Sequence, residues 1–454
     1  MKKIAIIGVI LLLVSSFVFA TGNRESAPSS QSQQQQQGRT VITFSFWGTP
    51  EEWAVTQATA DKFNNSQNRI EVMVRQIAWE VYDATLNTMA AANRLPDCGM
   101  MQEASALQFA SNGLLADMSQ MYPAGQARPL DSLAFKGPDG KVVAYSTANE
   151  ILLLYYNRAM FDKAGIPYPP ANVANAWTWD QFVDVAKKLT LDANGRTPND
   201  AGFDANRIVQ YGAMVDNLTW QLEVWALSNG GGFYSPDGKS VIIDQPAAMD
   251  AIQRVADLHL VHKVAPLSPG NTDDGIQRSI LTGTVAMATG GQWNVGTAFP
   301  EWKAAGNNYG VAVLPHMGTK VTINTGGPVV VFSQSRNQAA AMEWLRWYTQ
   351  EENSWGLIES GIWMPILDKY YTNEADTRRW VNNPNFPPYA EYKSAVVDYA
   401  RTNSRSAAWY YTPNTNDFNQ VLGAALGDVW TGRRTARDAI TGAAAALRRA
   451  NSGR

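Results

Sequence analysis

The chain has 454 residues, of which 45% are hydrophobic and 17% are charged, and its formal net charge at pH 7 is −3. This length is enough for two or three ordinary domains with sizeable cores. The slightly acidic balance disfavours nucleic acid and anionic membranes as partners. The chain also carries 16 tryptophans and 17 tyrosines. Such rings are favoured where one side is apolar and the other must hydrogen-bond, so part of this set is predicted to face a ligand.

Residues 1–20 have the pattern of a cleaved export signal. Lys2 and Lys3 precede an apolar stretch over 4–14, and small residues precede the predicted cleavage point after Ala20. The stretch is shorter than the roughly 20 apolar residues that span a bilayer, so a signal peptide is favoured over a retained membrane anchor. No cysteine lies near the cleavage point to carry a lipid. The segment therefore predicts a periplasmic or secreted protein.

A polar spacer and then an alternating pattern follow the export signal. Residues 21–39 are rich in serine and glutamine, with almost nothing apolar to bury, and predict a disordered segment. Beyond them, strands are predicted over 41–47, 70–77 and 97–101, and helices over 51–64, 81–92 and 104–112. This alternation is typical of a parallel sheet with helices on both faces.

A second α/β unit is predicted after residue 149. It opens with an apolar strand over 151–156 and a helix that Thr178 caps and that ends at residue 189. Further helices are predicted over 219–228, 246–262, 274–281 and 338–350, and strands over 285–289, 309–314 and 329–332. The last third is predicted to be helical and rich in loops. Thr435 and Asp438 have the spacing of a capping pair, and a solvated face is favoured over a membrane-surface role for the final helix.

Catalytic signatures are missing from the sequence. It has no Gly-rich phosphate loop, no Gly-x-Ser-x-Gly elbow and no paired-histidine zinc helix. The single cysteine, Cys98, lies in a predicted strand, which favours an inert core thiol over a catalytic one. His259 and His262 are three residues apart, but a shared metal would need further ligands, so neither a metal nor a cofactor is predicted. A carbohydrate-active enzyme stays the runner-up, since two carboxylates about 5 to 10 Å apart could come from distant segments.

Ten short segments, in order along the chain, resemble the carbohydrate class of extracellular solute-binding proteins, the maltose-binding-protein-like receptors of ABC importers. Each segment is weak by itself, and their common order and spacing carry the resemblance over residues 41–451. The segments are FWG at 46–48, PD at 96–97, NGLLAD at 112–117, YYNR at 155–158, FDKAG at 161–165, WTWD at 177–180, LSNGG at 227–231, GTVAM at 283–287, GGQW at 290–293 and YGVAVLP at 309–315.

The resemblance implies a two-lobed α/β fold of the type II periplasmic-binding-protein kind. Each lobe would hold a mixed, mainly parallel sheet flanked by helices, and hinge crossovers would let the lobes close on a ligand. By position, the first lobe would comprise residues 40–149 with 326–365, and the second 150–325 with 366–454. The resemblance further implies a monomeric receptor, without enzymatic activity, that binds a small-molecule sugar and delivers it to ABC permease transmembrane subunits. An envelope module that senses sugar through the same cleft is an alternative.

The same resemblance implies polar and aromatic ligand contacts at the crossovers and strand ends. Glu150 would bind sugar hydroxyls at the first crossover, with an interlobe salt bridge as the alternative, and Gly326 and Gly327 would mark the second crossover. In the first lobe, where the carboxyl ends of strands converge, the contacts would be Trp47, Glu51, Glu52, Trp79, Asp83 and Glu103. Elsewhere they would be Trp220, Trp225, Trp293, Trp363, Trp409 and Tyr410.

These residue types suit a sugar, because its C–H face stacks on aromatic rings while carboxylates bind its hydroxyls. Core packing is the alternative for every tryptophan, since this side chain is usually mostly buried. Met101 and Asn217 stand where some disaccharide receptors of the family carry rings. The sequence therefore predicts a sugar without specifying maltose, and a polyol or a polyamine-like solute stays open.

Overall fold

The computed structural model describes residues 38–452 apart from 49, 123–128, 138 and 268–281. The predicted export signal, nearly all of the predicted spacer and the predicted helix over 274–281 lie outside these residues. No helix of the described part is both long and apolar enough to cross a membrane.

The described residues form alternating strands and helices. The strands are β1 (Thr40–Phe46), β2 (Ile70–Gln76), β3 (Cys98–Met100), β4 (Ala134–Lys136), β5 (Val142–Ser146), β6 (Glu150–Asn157), β7 (Leu191–Asp192), β8 (Ile208–Gln210), β9 (Met287–Gly291), β10 (Tyr309–Ala312), β11 (Thr322–Thr325), β12 (Pro328–Val331) and β13 (Ser404–Ser406).

Helices precede and follow these strands along the chain. They are α1 (Pro50–Ser66), α2 (Tyr82–Ala91), α3 (Glu103–Ser111), α4 (Arg158–Ala164), α5 (Trp179–Leu189), α6 (Thr219–Ser228), α7 (Pro246–Leu260), α8 (Asn294–Thr297), α9 (Phe299–Ala304), α10 (Gln338–Tyr348), α11 (Glu351–Glu359), α12 (Lys369–Thr372), α13 (Glu374–Val381), α14 (Tyr389–Tyr392), α15 (Tyr399–Asn403), α16 (Thr415–Trp430) and α17 (Ala436–Asn451). A π-helical segment, Lys393–Asp398, joins α14 to α15, and a 3-10 turn spans Ala408–Tyr410.

Two large sheets organise the described chain. The first has the strand order β2-β1-β3-β12-β5-β4, and the second has the order β10-β6-β11-β13, with β9 also paired to β6. Within these two sheets the parallel ladders are β1 with β2, β1 with β3 and β11 with β13. The sheets are therefore mixed, as predicted, but the prediction that they are mainly parallel is wrong. Antiparallel pairs dominate because β12 and β6 enter their sheets from the crossovers, opposite in direction to their neighbours.

Strand β6 shows why the second sheet is buried on both faces. All of its residues after Glu150 are buried. Side chains alternate along a strand, so Ile151, Leu153 and Tyr155 enter one core while Leu152, Leu154 and Tyr156 enter another. The near-continuous apolar run that predicted this strand is thus the signature of a strand covered on both sides.

Many aromatic rings serve the core beside the first sheet. Phe44 of β1 packs edge-on against Trp344 of α10 with ring centroids 5.6 Å apart, and Phe63 of α1 packs against the same indole at 5.2 Å. Tyr348 and Phe44 lie 5.2 Å apart. These contacts explain part of the large tryptophan and tyrosine content without any ligand.

Most of the predicted elements are confirmed within a few residues. Helix α6 has the predicted bounds, and α5 begins with a capping box in which Thr178 and Gln181 exchange hydrogen bonds of 3.2 and 2.9 Å. The final helix begins at the predicted cap, since Asp438 donates its amide to the Thr435 hydroxyl at 3.1 Å. The strand predicted over 285–289 begins only at Met287, because Val285 makes an isolated bridge to Tyr211.

Cys98 lies in β3 and is fully buried, as predicted for a core thiol. Burial, together with the nearby Asp97 charge, raises the pKa of the Cys98 thiol well above its usual value. The reactive thiolate is therefore disfavoured at physiological pH.

Glu351 is a buried carboxylate at the start of α11. Its Oε1 accepts a hydrogen bond of 3.1 Å from the Leu367 amide, and its Oε2 has no partner among the described residues. Burial raises the pKa of the Glu351 carboxyl to about 7, although its own amide and that of Leu367 lower it. Between the ordinary pKa of 4.5 and about pH 7, the folded state therefore binds more protons here than the unfolded state.

We expect Glu351→Gln to flatten the pH dependence of stability. The stability contributed by the protonated carboxyl is complete at low pH and is lost as pH rises through the folded-state pKa, whereas glutamine does not titrate. The variant should match the parent near pH 4.5 and exceed its free energy of unfolding at pH 8 by on the order of 1 to 3 kcal/mol. Urea denaturation at several pH values measures this, with the exposed Glu359→Gln as the control. A parental pH slope in Glu351→Gln would contradict the assignment.

Candidate ligand-binding site

The chain passes between the two sheets at neighbouring points. It leaves the first sheet after Ser146 and enters the second at Glu150, and it returns between β11 and β12. The Thr147 amide donates a hydrogen bond of 3.0 Å to the Gly327 carbonyl, and the Ser146 hydroxyl donates one of 2.9 Å to the Gly326 carbonyl. The two predicted crossover segments therefore lie side by side.

Different steric constraints require glycine at positions 326 and 327. Gly326 has a φ of +154°, and a Cβ added there would lie 2.1 Å from the Ala148 carbonyl oxygen. A Cβ at Gly327 would lie 2.6 Å from Met100 Cε and 3.3 Å from the indole of Trp47. Both glycines thus allow a close approach of the crossovers to each other and to the end of the first sheet.

The carboxylates of Glu103 and Glu150 reach the crossovers from different elements. Glu150 begins β6 and pairs in register with Thr325 of β11. The Thr325 hydroxyl donates a hydrogen bond of 3.3 Å to Oε1 of Glu103, in the first turn of α3. Burial, together with the charges of Glu103 and Glu150, raises the pKa of the Tyr410 phenol. One phenol thus lies within electrostatic reach of both carboxylates where the sheets join.

Burial also raises the pKa of the Glu103 carboxyl, to about 7. The amide of Glu103 and the Thr325 hydroxyl oppose this shift, and the charge of Asp83 adds to it. Near neutral pH the group is therefore divided between an ionised acceptor and a protonated form that can also donate. Either form can hydrogen-bond a ligand hydroxyl.

Asp83 of α2 takes part in hydrogen bonds that connect three helices. Its Oδ2 accepts a short hydrogen bond from the Ser105 hydroxyl of α3, and that hydroxyl accepts one of 2.8 Å from Asn416 of α16. Burial raises the pKa of Asp83, while Ser105 and Asn416 lower it. In the structure this carboxylate therefore helps to join α2, α3 and α16.

Three rings at the end of the first sheet form what we call the first aromatic group: Trp47, Trp79 and Tyr82. The Trp47 centroid lies 5.1 Å from that of Trp79 and 4.8 Å from that of Tyr82, with both partners edge-on. Tyr82 is fixed, because its hydroxyl lies 2.8 Å from both Ser45 Oγ and the Met100 carbonyl. Trp79 is 48% exposed, so this group presents an indole to solvent.

The second aromatic group comprises Trp220 at the start of α6, Trp293 after β9, and Trp409. The Trp220 centroid lies 6.4 Å from Trp293 and 5.1 Å from Trp409. Trp293 is folded over its own strand, since a Cβ at Gly291 would lie 2.1 Å from the indole. Trp220 and Trp293 are partly exposed, whereas Trp409 is 6% exposed.

Both aromatic groups adjoin one buried cluster, here called the central cluster. Trp47 and Trp220 pack against it from outside, and Tyr82 and Trp409 belong to it. Its other members include Met101, Leu107, Phe135, Val330 and Tyr410. The structure therefore brings together tryptophans that are about 170 residues apart in sequence, close to the carboxylates at the crossovers.

Three residues predicted to contact the ligand pack in the protein interior. Trp225 is 2% exposed and lies edge-on to Trp179 at 5.0 Å, and Trp363 is 5% exposed and lies edge-on to Tyr348 at 6.2 Å. The Tyr410 ring stacks on Phe135 at 4.3 Å. Core packing accounts for the position of each of these rings, and contact of any of them with a ligand stays a prediction.

The Tyr410 hydroxyl is part of a relay to the crossovers. It lies 2.7 Å from Ser146 Oγ, which donates its single proton to the Gly326 carbonyl. Tyr410 must therefore donate to Ser146. The relay links the turn at 408–410 to both crossover segments.

The remaining predicted positions lie around this region. Glu52 is partly exposed and folds toward Gly48, where an added Cβ would lie 3.0 Å from Glu52 Oε2. The side chain of Glu51 lies outside the described part. Met101 is fully buried in the central cluster, and Asn217 is partly exposed before α6.

Sequence reasoning missed Ser146, Thr325 and Tyr82, which support the carboxylates and rings. Thr325 lies next to the crossover glycines in sequence, but its partner Glu103 lies 222 residues away. Ser146 carried no local signal. Over the described ranges, no three His, Cys, Asp or Glu side chains gather in a way that could hold a metal ion.

The chain also resembles known proteins in sequence and in fold. Residues 58–388 match the family described as bacterial extracellular solute-binding protein. The sn-glycerol-3-phosphate-binding periplasmic protein of Brucella melitensis is 23% identical over 341 residues, which cover 71% of this chain and 74% of that protein.

Solved structures resemble the chain over almost its whole length. A substrate-binding protein from Listeria monocytogenes, in complex with cycloalternan, has a TM-score of 0.73 at 21% identity and covers 91% of this chain and 99% of its own. A solute-binding protein from Thermotoga lettingae, bound with α-D-tagatose, has the same score and identity and covers 90% and 99%. These likenesses confirm the predicted two-lobed α/β fold. The exact boundaries of the lobes stay a prediction.

Proposed function

Because the chain belongs to the bacterial extracellular solute-binding protein family, we propose that it is the exported receptor of an ABC importer for a mono- or oligosaccharide. The observation that carries the proposal is the position of the two aromatic groups on one central cluster, beside the carboxylates of Glu103 and Glu150. Rings and carboxylates at the junction of two lobes are the combination that a sugar needs.

In this proposal each group has a distinct task. The partly exposed indoles of Trp47, Trp79, Trp220 and Trp293 would stack on the C–H faces of sugar rings, and Trp409 would support Trp220 from behind. Glu103 and Glu150 would bind hydroxyls across the junction. Contacts to both lobes would then favour the closed state by the difference in ligand affinity between closed and open forms.

An anionic ligand is the main competitor, since the Brucella melitensis relative is named for binding sn-glycerol 3-phosphate. A phosphate requires cationic side chains or several N–H donors around it. The crossovers instead bring together carboxyl groups of Glu103 and Glu150, with Asp83 close enough to act on Glu103. Like charges would repel a phosphate here, and this supports a neutral polyhydroxylated ligand.

The remaining parts of the proposal follow from the receptor role. The protein would act as a monomer in the periplasm or outside the cell and would deliver sugar to permease transmembrane subunits without chemical change. A sensor would use the same cleft without delivery, and permease and ATPase genes beside its own would favour import. A carbohydrate-active enzyme would release a product from the bound sugar.

We expect at least one sugar in a panel of mono- and oligosaccharides to raise the melting temperature of the protein. A ligand that binds only the folded state at a hundredfold excess over its Kd adds about 2.7 kcal/mol to the free energy of unfolding. Differential scanning fluorimetry measures the shift, with sn-glycerol 3-phosphate as the competing class. Chromatography of the mixture after incubation should recover the sugar unchanged.

Two outcomes would contradict the proposal. An increase in melting temperature with glycerol 3-phosphate, and with no sugar, would indicate that the ligand is anionic and is not a sugar. Formation of a new product from the bound sugar would show that the protein is an enzyme and not a transport receptor.

A further inference from the structure

Gln292 is a fully buried side chain directly before Trp293, a partly exposed indole of the second aromatic group. Its Nε2 donates hydrogen bonds of 2.8 Å to the Gly361 carbonyl and 3.0 Å to the Tyr392 hydroxyl. A carbonyl oxygen can only accept, so the bond to Gly361 identifies the nitrogen end of the carboxamide. The other end, Oε1, is buried and has no hydrogen-bond partner among the described residues.

The unpaired oxygen points to a role for Gln292 other than stability. A buried polar atom without a partner costs free energy, and an apolar side chain of the same length would avoid that cost. The glutamine keeps two donated hydrogen bonds, whose acceptors lie 69 and 100 residues away in sequence. These bonds connect the turn that carries Trp293 to distant segments of the chain.

Both acceptors of Gln292 belong to closely packed parts of the protein. Tyr392 is fully buried, and its ring stacks on that of Phe386 with centroids 5.0 Å apart. The segment at 361–362 lies against the helix that follows Trp293, since a Cβ added at Gly296 would lie 2.5 Å from the Ile362 amide nitrogen. The side chain of Gln292 therefore joins its turn to a rigid support.

The strand end beneath the Trp293 ring is fixed as well. The Gly291 carbonyl accepts hydrogen bonds of 2.7 Å from the Tyr155 hydroxyl and 3.0 Å from Asn294 Nδ2. A Cβ added at Gly291 would lie 2.1 Å from the indole, so the ring rests directly on this backbone. The position of the ring over its own strand then depends on the turn between Gly291 and Asn294, which Gln292 anchors.

We propose that Gln292 is a positioning residue for Trp293. Its two hydrogen bonds hold the turn against Gly361 and Tyr392, and this keeps the indole over its own strand, 6.4 Å from Trp220. The step from the positioned ring to sugar binding rests on the proposed function. The positioning itself does not.

The first test is Gln292→Met in the full chain without ligand. Methionine keeps the length and bulk of glutamine but donates no hydrogen bond. The readout is near-ultraviolet circular dichroism in the long-wavelength bands of tryptophan, which report on the neighbouring indoles of Trp220 and Trp293. We expect Gln292→Met to lose a large part of the signal that Trp293→Phe removes.

The matched control is Gln334→Met. The Gln334 side chain donates a hydrogen bond of 3.0 Å to the Ala90 carbonyl and accepts one of 3.2 Å from the Leu95 amide. This variant also loses two hydrogen bonds to a distant segment, but at the opposite end of α2 from Tyr82. We expect it to keep the parental spectrum.

A double-mutant cycle adds a readout that a purely structural role would not move. If Gln292 acts through the Trp293 ring, Gln292→Met should change the spectrum of the parent and should not further change that of Trp293→Phe. With the sugar found in the panel, Gln292→Met should weaken Kd by about 2- to 10-fold in the parent, because the ring must be ordered on binding. It should have no such effect in Trp293→Ala.

Tyr392→Phe takes the place of Gln292→Met in the cycle if the methionine variant does not fold. It keeps the ring that stacks on Phe386 and removes one of the two acceptors of Gln292. We expect a spectral change of the same sign and smaller size.

Two results, obtained with whichever variant folds, would overturn the positioning role: a parental spectrum, or an undiminished spectral change in the Trp293→Phe background. Failure of every sugar to stabilise the parent protein would overturn the proposed function instead. That result would leave the ligand-free spectra, and the conclusion drawn from them, unaffected.

Discussion

Replacement of Gly326 by alanine is expected to lower the free energy of unfolding by about 3 to 5 kcal/mol, because it combines backbone strain with a steric clash. The residue has a φ of +154°, and its new Cβ would lie 2.1 Å from the carbonyl oxygen of Ala148 on the neighbouring crossover. Backbone cannot move aside as a flexible side chain can. The crossovers would have to separate, and the hydrogen bond from Ser146 to the Gly326 carbonyl would be strained.

The matched control is Gly427→Ala on α16. Gly427 is exposed, and a Cβ there would meet no atom within 4 Å. Alanine in a helix interior should raise the free energy of unfolding by about 0.5 to 1 kcal/mol. Urea denaturation of both variants measures the difference. If Gly326→Ala were as stable as the parent, the close approach of the crossovers would be wrong.

Local patterns were enough to predict many of the elements before the second crossover. Strands such as β1 and β6 carry β-branched and aromatic runs, and α5 carries a capping box, so neighbours in sequence decide these elements. The segment between α10 and α16 was harder because most of its helices are short. It contains α12 with four residues and a π-helical segment between α14 and α15, and neither is long enough to repeat an apolar spacing over two turns.

Local sequence patterns also did not predict whether neighbouring strands pair parallel or antiparallel. Whether β12 runs parallel or antiparallel to β3 depends on where the chain re-enters the first sheet, which is a property of the crossovers. Strand β13 pairs with β11 although it lies almost 80 residues later. No pattern within either strand specifies such a partner.

The sequence predicted which types of residue form the site. It did not predict which individual tryptophans lie there. Trp220 and Trp225 lie on one helix, and five positions turn them about 140° apart, so only one can face the second aromatic group. Helix α6 buries most of its residues, including Gln221 and Glu223, and therefore lacks the polar face that would have marked its orientation.

Loss of the Trp293 ring is expected to remove most of the affinity for the sugar found in the panel. The indole is partly exposed, folds over Gly291 and lies 6.4 Å from Trp220, so it is placed to stack on a ligand. Truncation of a central tryptophan in a binding site costs about 2 to 4 kcal/mol, or roughly 30- to 1000-fold in Kd. Isothermal titration calorimetry of Trp293→Ala measures this loss.

Two further variants separate stacking from a general loss of a large side chain. Trp355→Ala removes an indole that packs on Tyr370 and Arg379, away from both aromatic groups, and should leave Kd unchanged. Gly291→Ala keeps the Trp293 ring but places a Cβ 2.1 Å from it, so the ring must move and affinity should fall. Stacking requires both the ring and its position, and therefore predicts weak binding in Trp293→Ala and in Gly291→Ala alike. Parental affinity in both would assign the sugar to other residues.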